Sequence, residues 1–571
     1  MRFCLKLSSP LNTVLFYFVL VGIHILMAMW MAGPLYVADE TGYLGNARYL
    51  VGKGVMPNMV ETAFYHAGYS LIISPAFWLS SDPKRIYFIV LVINSFLMSS
   101  LFFFLFYLLK KCFLYNSQHS LLASFTTCLY PAFLINSNIA VAENAIIPIF
   151  ALAVVLFYLM LKDRSLWFGI LFGFTVSFLY TVHPRFLILL PITGLYLILL
   201  TIMRLLPKGV ALVSLITLLI NYLSTVRLHD HLQALGWGGG GTPAIFSTLR
   251  TFFNPNHAIR GLIVVFGQLW YMTVSSYGLW VLGLLIIGLT VWRHRSDLSR
   301  QGASSPIVHA LIFYVLCCGG ILSTSALFLS SMGLNGNVLI YGRYNESFIG
   351  LGMAVGLGMI LANPFDERYW RTMGGIVLSV LTGLSLVTLG IGVNLIKNPT
   401  LTGGIHWLGL FPILGAIIFK VGLSFFIGIL ACSLYAFVVF VILMLTFKRR
   451  RYLEVLLLGV LFSVFGLVLY IFLLLPVTKQ VQSLALPGVI QAMPEVNVVS
   501  FDRGYRSRAE LYRYQYFLPH TRFLFFNSSE HESPKTRYFI TSRFAEFPLH
   551  MGAQLIDLEK EGDLALWAKN E

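Results

Sequence analysis

Along most of this chain, apolar runs long enough to cross a bilayer alternate with short basic punctuations. A helix of about 20 apolar residues spans the hydrocarbon core. On that measure the pattern predicts thirteen membrane helices, near residues 11–33, 86–109, 120–139, 145–161, 165–182, 186–203, 209–226, 267–292, 306–330, 345–362, 373–395, 421–447 and 453–475. The pattern changes at about Leu484. Short alternating stretches follow, Val496 to Phe501, Thr521 to Phe526 and Thr536 to Thr541, with one helical period from Arg506 to Phe517. The expected architecture is a polytopic α-helical bundle over residues 1–480 and a small α/β domain over 481–571.

Charge orients the bundle. Lys110-Lys111, Lys162 to Arg164, Arg204 to Lys208, Arg293 to Arg300, Arg368 to Arg371 and Lys448 to Arg451 all fall in loops of one parity. Basic residues collect in cytoplasmic loops, so a multi-pass protein of the cell (inner) membrane with a cytoplasmic N-terminus is expected. Segments 34–85, 227–266, 396–420 and the tail from 477 are then extracytoplasmic. Composition agrees: 58% of residues are hydrophobic and 11% charged, against about 25% charged in soluble domains. The start, Met1 to Lys6 and then more than 20 apolar residues, is too long for a cleaved signal and is read as helix 1. Six cysteines lie in or beside apolar runs without metal-ligand spacing, and no disulfide or structural zinc is expected. Residues 405–419 are apolar but short of a span and are expected to lie along the outer leaflet. Gly236 to Gly241 reads as a flexible loop leading to a short surface helix between Arg250 and Arg260. No strand precedes those glycines and no Gly-Lys-Ser/Thr follows, which argues against a phosphate loop.

The polar residues that need explaining sit at the outer face. Asp39 and Glu40 directly follow helix 1, where a charge is costly unless solvated, paired or used. Helix capping accounts for one of them but does not need both. From Asp39 the i+4 position is Tyr43, with Ala47 and Arg48 two turns on, so an acid, a phenol and a guanidinium are expected along one helix wall, with Thr41 or Asp39 as N-cap. Glu143 opens the fourth span after an outer hairpin, as a cap or as a second acid beside Asp39. Thr181-Val-His183-Pro-Arg185 and Tyr341-Gly-Arg343-Tyr344-Asn-Glu346 end and begin spans at the same face. Arg185 and Arg343 run against the cytoplasmic bias. Head-group snorkelling is one explanation; a forked donor for phosphate oxygens is the other, favoured when the two are taken together.

The first loop, Asp39-Glu40-Thr-Gly-Tyr43 with Ala47-Arg48, then His66-Ala-Gly-Tyr-Ser to Pro75, resembles the first periplasmic loop of GT-C glycosyltransferases, especially lipid A aminoarabinose transferases and protein O-mannosyltransferases. Tyr130-Pro131, the Glu143 hairpin and Thr181 to Arg185 are similar to that superfamily as well. The pocket segment lacks the Lys-Pro-Pro of the aminoarabinose transferases, which leaves the substrate open, and the tail lacks a Trp-Trp-Asp motif like that of oligosaccharyltransferases, which argues against Asn-linked transfer of a whole oligosaccharide. What the resemblance implies is inverting transfer of one sugar from a polyprenyl-phosphate donor to a cell-envelope lipid, glycan or protein on the extracytoplasmic side. Asp39 is then the general base, with Glu40 beside it in the catalytic pair. Tyr43, Arg48, His66, Glu143, His183, Arg185, Arg343 and Tyr344 are the candidate substrate ligands. No cofactor is required, though a divalent metal between Asp39 and Glu143 is compatible. The partners are the donor, the acceptor and the bilayer; no nucleic acid is expected, and the chain is expected to be a monomer. The competing reading is a transporter or flippase of a lipid-linked saccharide, against which stand the lack of an internal repeat and of charges in mid-span. A polymerase or ligase of surface glycans is a third.

The parity argument predicts that the first loop and the tail share one side. Cysteines introduced at Asn58 and Ser529 should both react with an impermeant maleimide on intact cells; labelling of only one would break the thirteen-span topology.

Overall fold

The computed structural model describes residues 10–35, 37–56, 65–235, 254–298, 305–362, 367–396, 408–410, 425–493, 495–502, 508–559 and 563–569. Its first half runs α1 (Pro10–Ala28), α2 (Val37–Leu50), α3 (Ala67–Ile73), α4 (Pro75–Leu79), α5 (Pro83–Cys112), α6 (Ser117–Cys128), α7 (Pro131–Asn136), α8 (Glu143–Asp163), α9 (Leu166–Val182), α10 (Leu189–Ile202) and α11 (Lys208–Ala234). Among the described residues, eleven helices are long and apolar enough to span a membrane.

The departures from the expected thirteen have local causes. The run at 120–139 is split into α6 and α7, because Pro131 lacks the N–H that would continue the helix and instead opens a new one. The run at 267–292 is broken into Pro255–Ser275 and Leu279–Arg293 by Tyr277 (φ 51°) and Gly278 (φ 75°). Leu166–Val182 is a helix of 17 residues, just under the length of a full span. Segment 227–266 is less open than expected: α11 continues to Ala234 and the next helix starts at Pro255. The Gly-rich stretch between them lies outside the described residues, as does the apolar stretch 405–419 apart from 408–410. The helical segment Phe425–Leu469 reverses on itself. The Tyr435 and Phe465 rings meet with centroids 5.9 Å apart, whereas 30 residues of straight helix would separate them by about 45 Å. The midpoint of that reversal is the basic stretch expected as a loop.

Small residues let helices approach backbone to backbone, the usual device where lipid offers no hydrophobic drive between helices. A Cβ on Gly283 would meet the Gly352 carbonyl oxygen at 1.9 Å, and one on Gly356 would meet the Leu279 oxygen at 2.4 Å. This fixes Leu279–Arg293 against Glu346–Ala362, the most completely buried span of the bundle.

The tail forms a five-stranded sheet. Its strands are β1 (Val498–Asp502), β2 (Arg522–Phe526), β3 (Tyr538–Ser542), β4 (Gln554–Leu558) and β5 (Leu564–Ala568), in the order β2-β1-β3-β5-β4. β1 pairs in parallel with β2 and β3, and β5 is antiparallel to both β3 and β4. The three strands and the helix expected from the sequence are present. The helix Arg508–Phe517 is the crossover between β1 and β2. It has two apolar faces: Leu511 and Tyr514 enter the sheet core, while Tyr516 and Phe517 join the bundle core. Tyr516 donates to the Pro83 carbonyl (2.7 Å), and the Phe517 ring fills the space that a side chain at Gly33 would need. The tail therefore sits on the same end of the bundle as α2. Five cysteines, Cys112, Cys128, Cys317, Cys318 and Cys432, are free and buried.

Helix contact through glycine gives a direct test. Replacing Gly283 by Ala should destabilise the protein by about 1–3 kcal/mol, the usual range for overpacking, and lower its yield from membranes. Gly288→Ala, which meets nothing within 4 Å, should be neutral by thermal unfolding in the same detergent.

Candidate active site

The acids expected at the outer face belong to different elements that meet at one end of the bundle. α2 begins at Val37, so Asp39, Glu40 and Thr41 lie inside its first turns rather than at its N-cap. There the carboxylates complement the positive end of the helix dipole. Consecutive helix residues diverge by about 100°, and the two acids accordingly part. Asp39 faces the bundle axis and keeps 31% of its side chain exposed. Glu40 turns beneath α2 and is fully buried, accepting from the Tyr87 hydroxyl (2.5 Å) and from the Ala140 (2.8 Å) and Leu35 (2.6 Å) amides. Glu40, expected beside Asp39 in the catalytic pair, is thus placed apart from the exposed Asp39 carboxylate and ties α2 to α5 and to the chain ahead of α8.

Glu143, in the first turn of α8, has a side chain only 1% exposed. Arg343 reaches it with Nη2 (2.8 Å) and Asp39 with Nη1 (2.7 Å), while Arg185 Nη1 holds the other Glu143 oxygen at 3.3 Å. Arg185 and Arg343 sit on short 3-10 turns, Pro184–Ile188 and Arg343–Asn345, at the mouths of their spans. Two carboxylates and two guanidinium groups form one charge-balanced chain, Asp39–Arg343–Glu143–Arg185. Among the described residues Arg185 Nε and Nη2 and Arg343 Nε are buried N–H donors without a bonded acceptor. The two arginines do converge, as expected, but on a carboxylate. The place between Asp39 and Glu143 that a divalent ion would take is occupied by the Arg343 guanidinium. Among the described residues no group of three or more His, Cys, Asp or Glu is arranged to hold a metal.

Aromatic rings wall the cluster. Tyr65 donates its hydroxyl to Asp39 Oδ1 (2.7 Å); burial and then the Asp39 charge push its pKa well up, so it remains a donor. Tyr43, one turn from Asp39, packs edge-on against Tyr65 (5.1 Å) and Tyr69 (5.2 Å), and burial likewise keeps its phenol protonated. Gly42 is required here: a Cβ would lie 2.2 Å from the Tyr65 ring. Arg185 lies over the Tyr344 ring at 4.8 Å, a cation–π contact. His183 touches the same ring edge-on at 5.6 Å. Its Nδ1 accepts from the Arg185 amide, and desolvation followed by the Arg185 charge holds it below its ordinary range, hence neutral.

Two expected ligands are elsewhere. Nine residues of helix amount to two and a half turns, so Arg48 points away from Asp39; its Nη2 lies 3.0 Å from His520 Nε2 in the tail. His66 donates Nδ1–H to the Tyr180 carbonyl (2.8 Å) and lies against the His229 ring, 4.0 Å away and tilted by 58°, joining α3 to α9 and α11. Residues given no role by the sequence are Tyr65, Tyr87 and a third buried acid beside Glu40 and Glu143, Glu346, held by Asn136 Nδ2 (3.0 Å) and the Tyr271 hydroxyl (2.8 Å). Tyr65 immediately precedes His66, and a phenol there was a usable signal. Nothing in the sequence pairs Asn136 or Tyr271 with Glu346.

No protein-family model matches the sequence, and no curated protein does. Among solved structures, the chain is similar to ArnT from Cupriavidus metallidurans bound to undecaprenyl phosphate, at 11% identity and TM-score 0.53 over 98% of both chains. The same protein in the apo state aligns over 97% of both chains at 11% identity and TM-score 0.50. At such identity the likeness is one of fold, and it extends over the whole chain, tail included. The polytopic helical fold with a small C-terminal sheet expected from the sequence is the one found, and it is shared with that protein.

Burial pushes His66 down to about 4, partly opposed by its bond to Tyr180. A depressed histidine contributes stability that is complete above its unfolded value near 6.5 and is lost as pH falls toward 4. That loss should be on the order of 2–3 kcal/mol. Thermal unfolding between pH 7 and pH 4 should show it, and His66→Asn should flatten this part of the profile; an unchanged slope would assign the acid sensitivity elsewhere.

Proposed function

We propose that this chain is an integral-membrane glycosyltransferase that moves a single sugar from a polyprenyl-phosphate donor to an acceptor hydroxyl at the extracytoplasmic face, with inversion. The observation that carries the reading is the contrast within one cluster. Asp39 alone among the three acids retains an open carboxylate, and it stands next to two buried arginines with unbonded N–H groups. Such donors suit a phosphate ester, whose oxygens accept forked bonds. The fold likeness to a protein crystallised with undecaprenyl phosphate supports the same donor class.

In this reading Asp39 removes the acceptor hydroxyl proton as that oxygen attacks the anomeric carbon. The carbon–oxygen bond to phosphate breaks, and polyprenyl phosphate leaves with the electron pair. Arg343 and Arg185 meet the charge growing on the leaving oxygen. Glu143 holds both guanidinium groups at the correct spread and, locked between them, takes no proton. Tyr65 orients the Asp39 carboxylate, and Tyr344 and His183 form the wall against which Arg185 is fixed. A donor phosphate competes with Asp39 for Arg343 Nη1, so donor binding also frees the base. No step needs a metal ion.

The test uses purified protein, a polyprenyl-phosphate sugar and a panel of envelope acceptors. Asp39→Asn should reduce turnover by about 100-fold or more with the folded yield unchanged. Glu40→Gln should mainly reduce folded yield, because it loosens the bonds to Tyr87, Leu35 and Ala140. Arg185→Lys should weaken donor binding by roughly 1–3 kcal/mol. Full turnover in Asp39→Asn, or undiminished donor affinity in Arg185→Lys, would reject the roles assigned to these residues.

A further inference from the structure

Arg48 is left over from the cluster just described, and its surroundings are unusual for an arginine. It is 9% exposed, at the last turn of α2. Its single side-chain hydrogen bond among the described residues is the one between Nη2 and His520 Nε2, an imidazole nitrogen rather than a carboxylate. Nε is buried with no acceptor, and no carboxylate of the described residues lies within ion-pair distance. Lys162, Arg185 and Arg343, by contrast, each have a carboxylate within that distance. A buried cation without a counter-ion is costly. The negative end of the α2 dipole offsets part of this, but it leaves the Nε–H unbonded.

The place is also built and reachable. α2 ends in a tight turn with Gly52 at φ 79° and Gly54 at φ 82°, and Lys53 beyond it is tied to the Ser80 carbonyl (2.9 Å). The tail helix Arg508–Phe517 closes the other side, with Arg513 Nη2 at 3.4 Å from the Leu35 carbonyl. His520 is exposed and marks the way in from solvent. From these observations we propose that Arg48, with His520, binds a phosphate-class oxyanion at the junction between α2 and the tail. Nine helix residues place it about 13 Å along α2 from Asp39. Resting on the transferase reading, this assigns the acceptor an anionic group at about that distance from the hydroxyl that receives the sugar. A head-group of the surrounding bilayer is the other source of the same chemistry.

The test is thermal unfolding of the full-length protein in a neutral detergent, with and without inorganic phosphate, and separately in nanodiscs of phosphatidylcholine with or without phosphatidylglycerol. Phosphate should raise the midpoint saturably in the wild type and in Arg343→Gln, and the rise should vanish in Arg48→Gln. Undecaprenyl phosphate should show the reverse dependence, so the two sites separate. Without phosphate, Arg48→Gln should be as stable as wild type or more so, since an uncompensated charge is removed. If phosphatidylglycerol alone reproduces the Arg48-dependent rise, the site stands and the lipid is its ligand. A phosphate effect that persists in Arg48→Gln, or no effect of either anion, overturns the site while leaving the donor reading intact. Marked destabilisation of phosphate-free Arg48→Gln would also overturn it, giving Arg48 a purely structural role.

Discussion

Everything at the α2 end of this bundle depends on the pair of contacts that Arg343 makes, 2.7 Å to Asp39 and 2.8 Å to Glu143. They join α2, α8 and the Gly336–Ala362 segment, which are far apart in the chain. A buried ion pair is a weak source of stability, because desolvation consumes most of the attraction. Removing one partner is another matter, since it strands a charge and costs about 3–5 kcal/mol. Glu143 shows the asymmetry most clearly. Without it Arg185 and Arg343 would face each other uncompensated, and Asp39 alone could not hold both. The cluster is therefore retained for its geometry, with two guanidinium groups pointed the same way by one carboxylate.

Bundle packing supplies the rigidity this geometry needs. Arg343 enters just before Glu346, whose carboxylate is pinned by Asn136 and Tyr271. That span is in turn locked against Leu279–Arg293 through Gly283, Gly352 and Gly356. On the other side, Glu40 fastens α2 to α5 and to the chain between α7 and α8 through Tyr87 and Ala140. The two adjacent acids of α2 thus divide the work: one anchors the helix so that the other is held at a fixed place.

Much of this was legible in the sequence, and the limits have physical reasons. Hydropathy finds apolar length, so it located the spans, but it cannot see the left-handed backbone at Tyr277 and Gly278 that divides one of them. Asp39, Glu143, Arg185 and Arg343 were conspicuous because each is a charge at the end of an apolar run. Their mutual contact was not legible, since it depends on how four segments pack. Arg48 was misplaced because helical spacing was followed to the wrong half-turn. β5 escapes the pattern because Leu564 to Ala568 is buried along its whole length and so shows no alternation.

The same packing bears on whether the site serves transfer or transport. A carrier must expose its site alternately to both sides, which requires one half of the protein to move against the other. Here the buried ion pairs among the described residues are confined to one end of the bundle, and the tail closes over that end. Tyr516 and Phe517 are packed into the bundle core, and Arg48 reaches across to His520. Movement of α2 relative to the Gly336–Ala362 segment would break the Arg343 contacts and leave charges unpaired in a dry interior. A fixed constellation with one open carboxylate instead meets the needs of a displacement reaction. There the nucleophile, the anomeric carbon and the leaving phosphate must be aligned, and the groups that serve them must not move while the bond is exchanged.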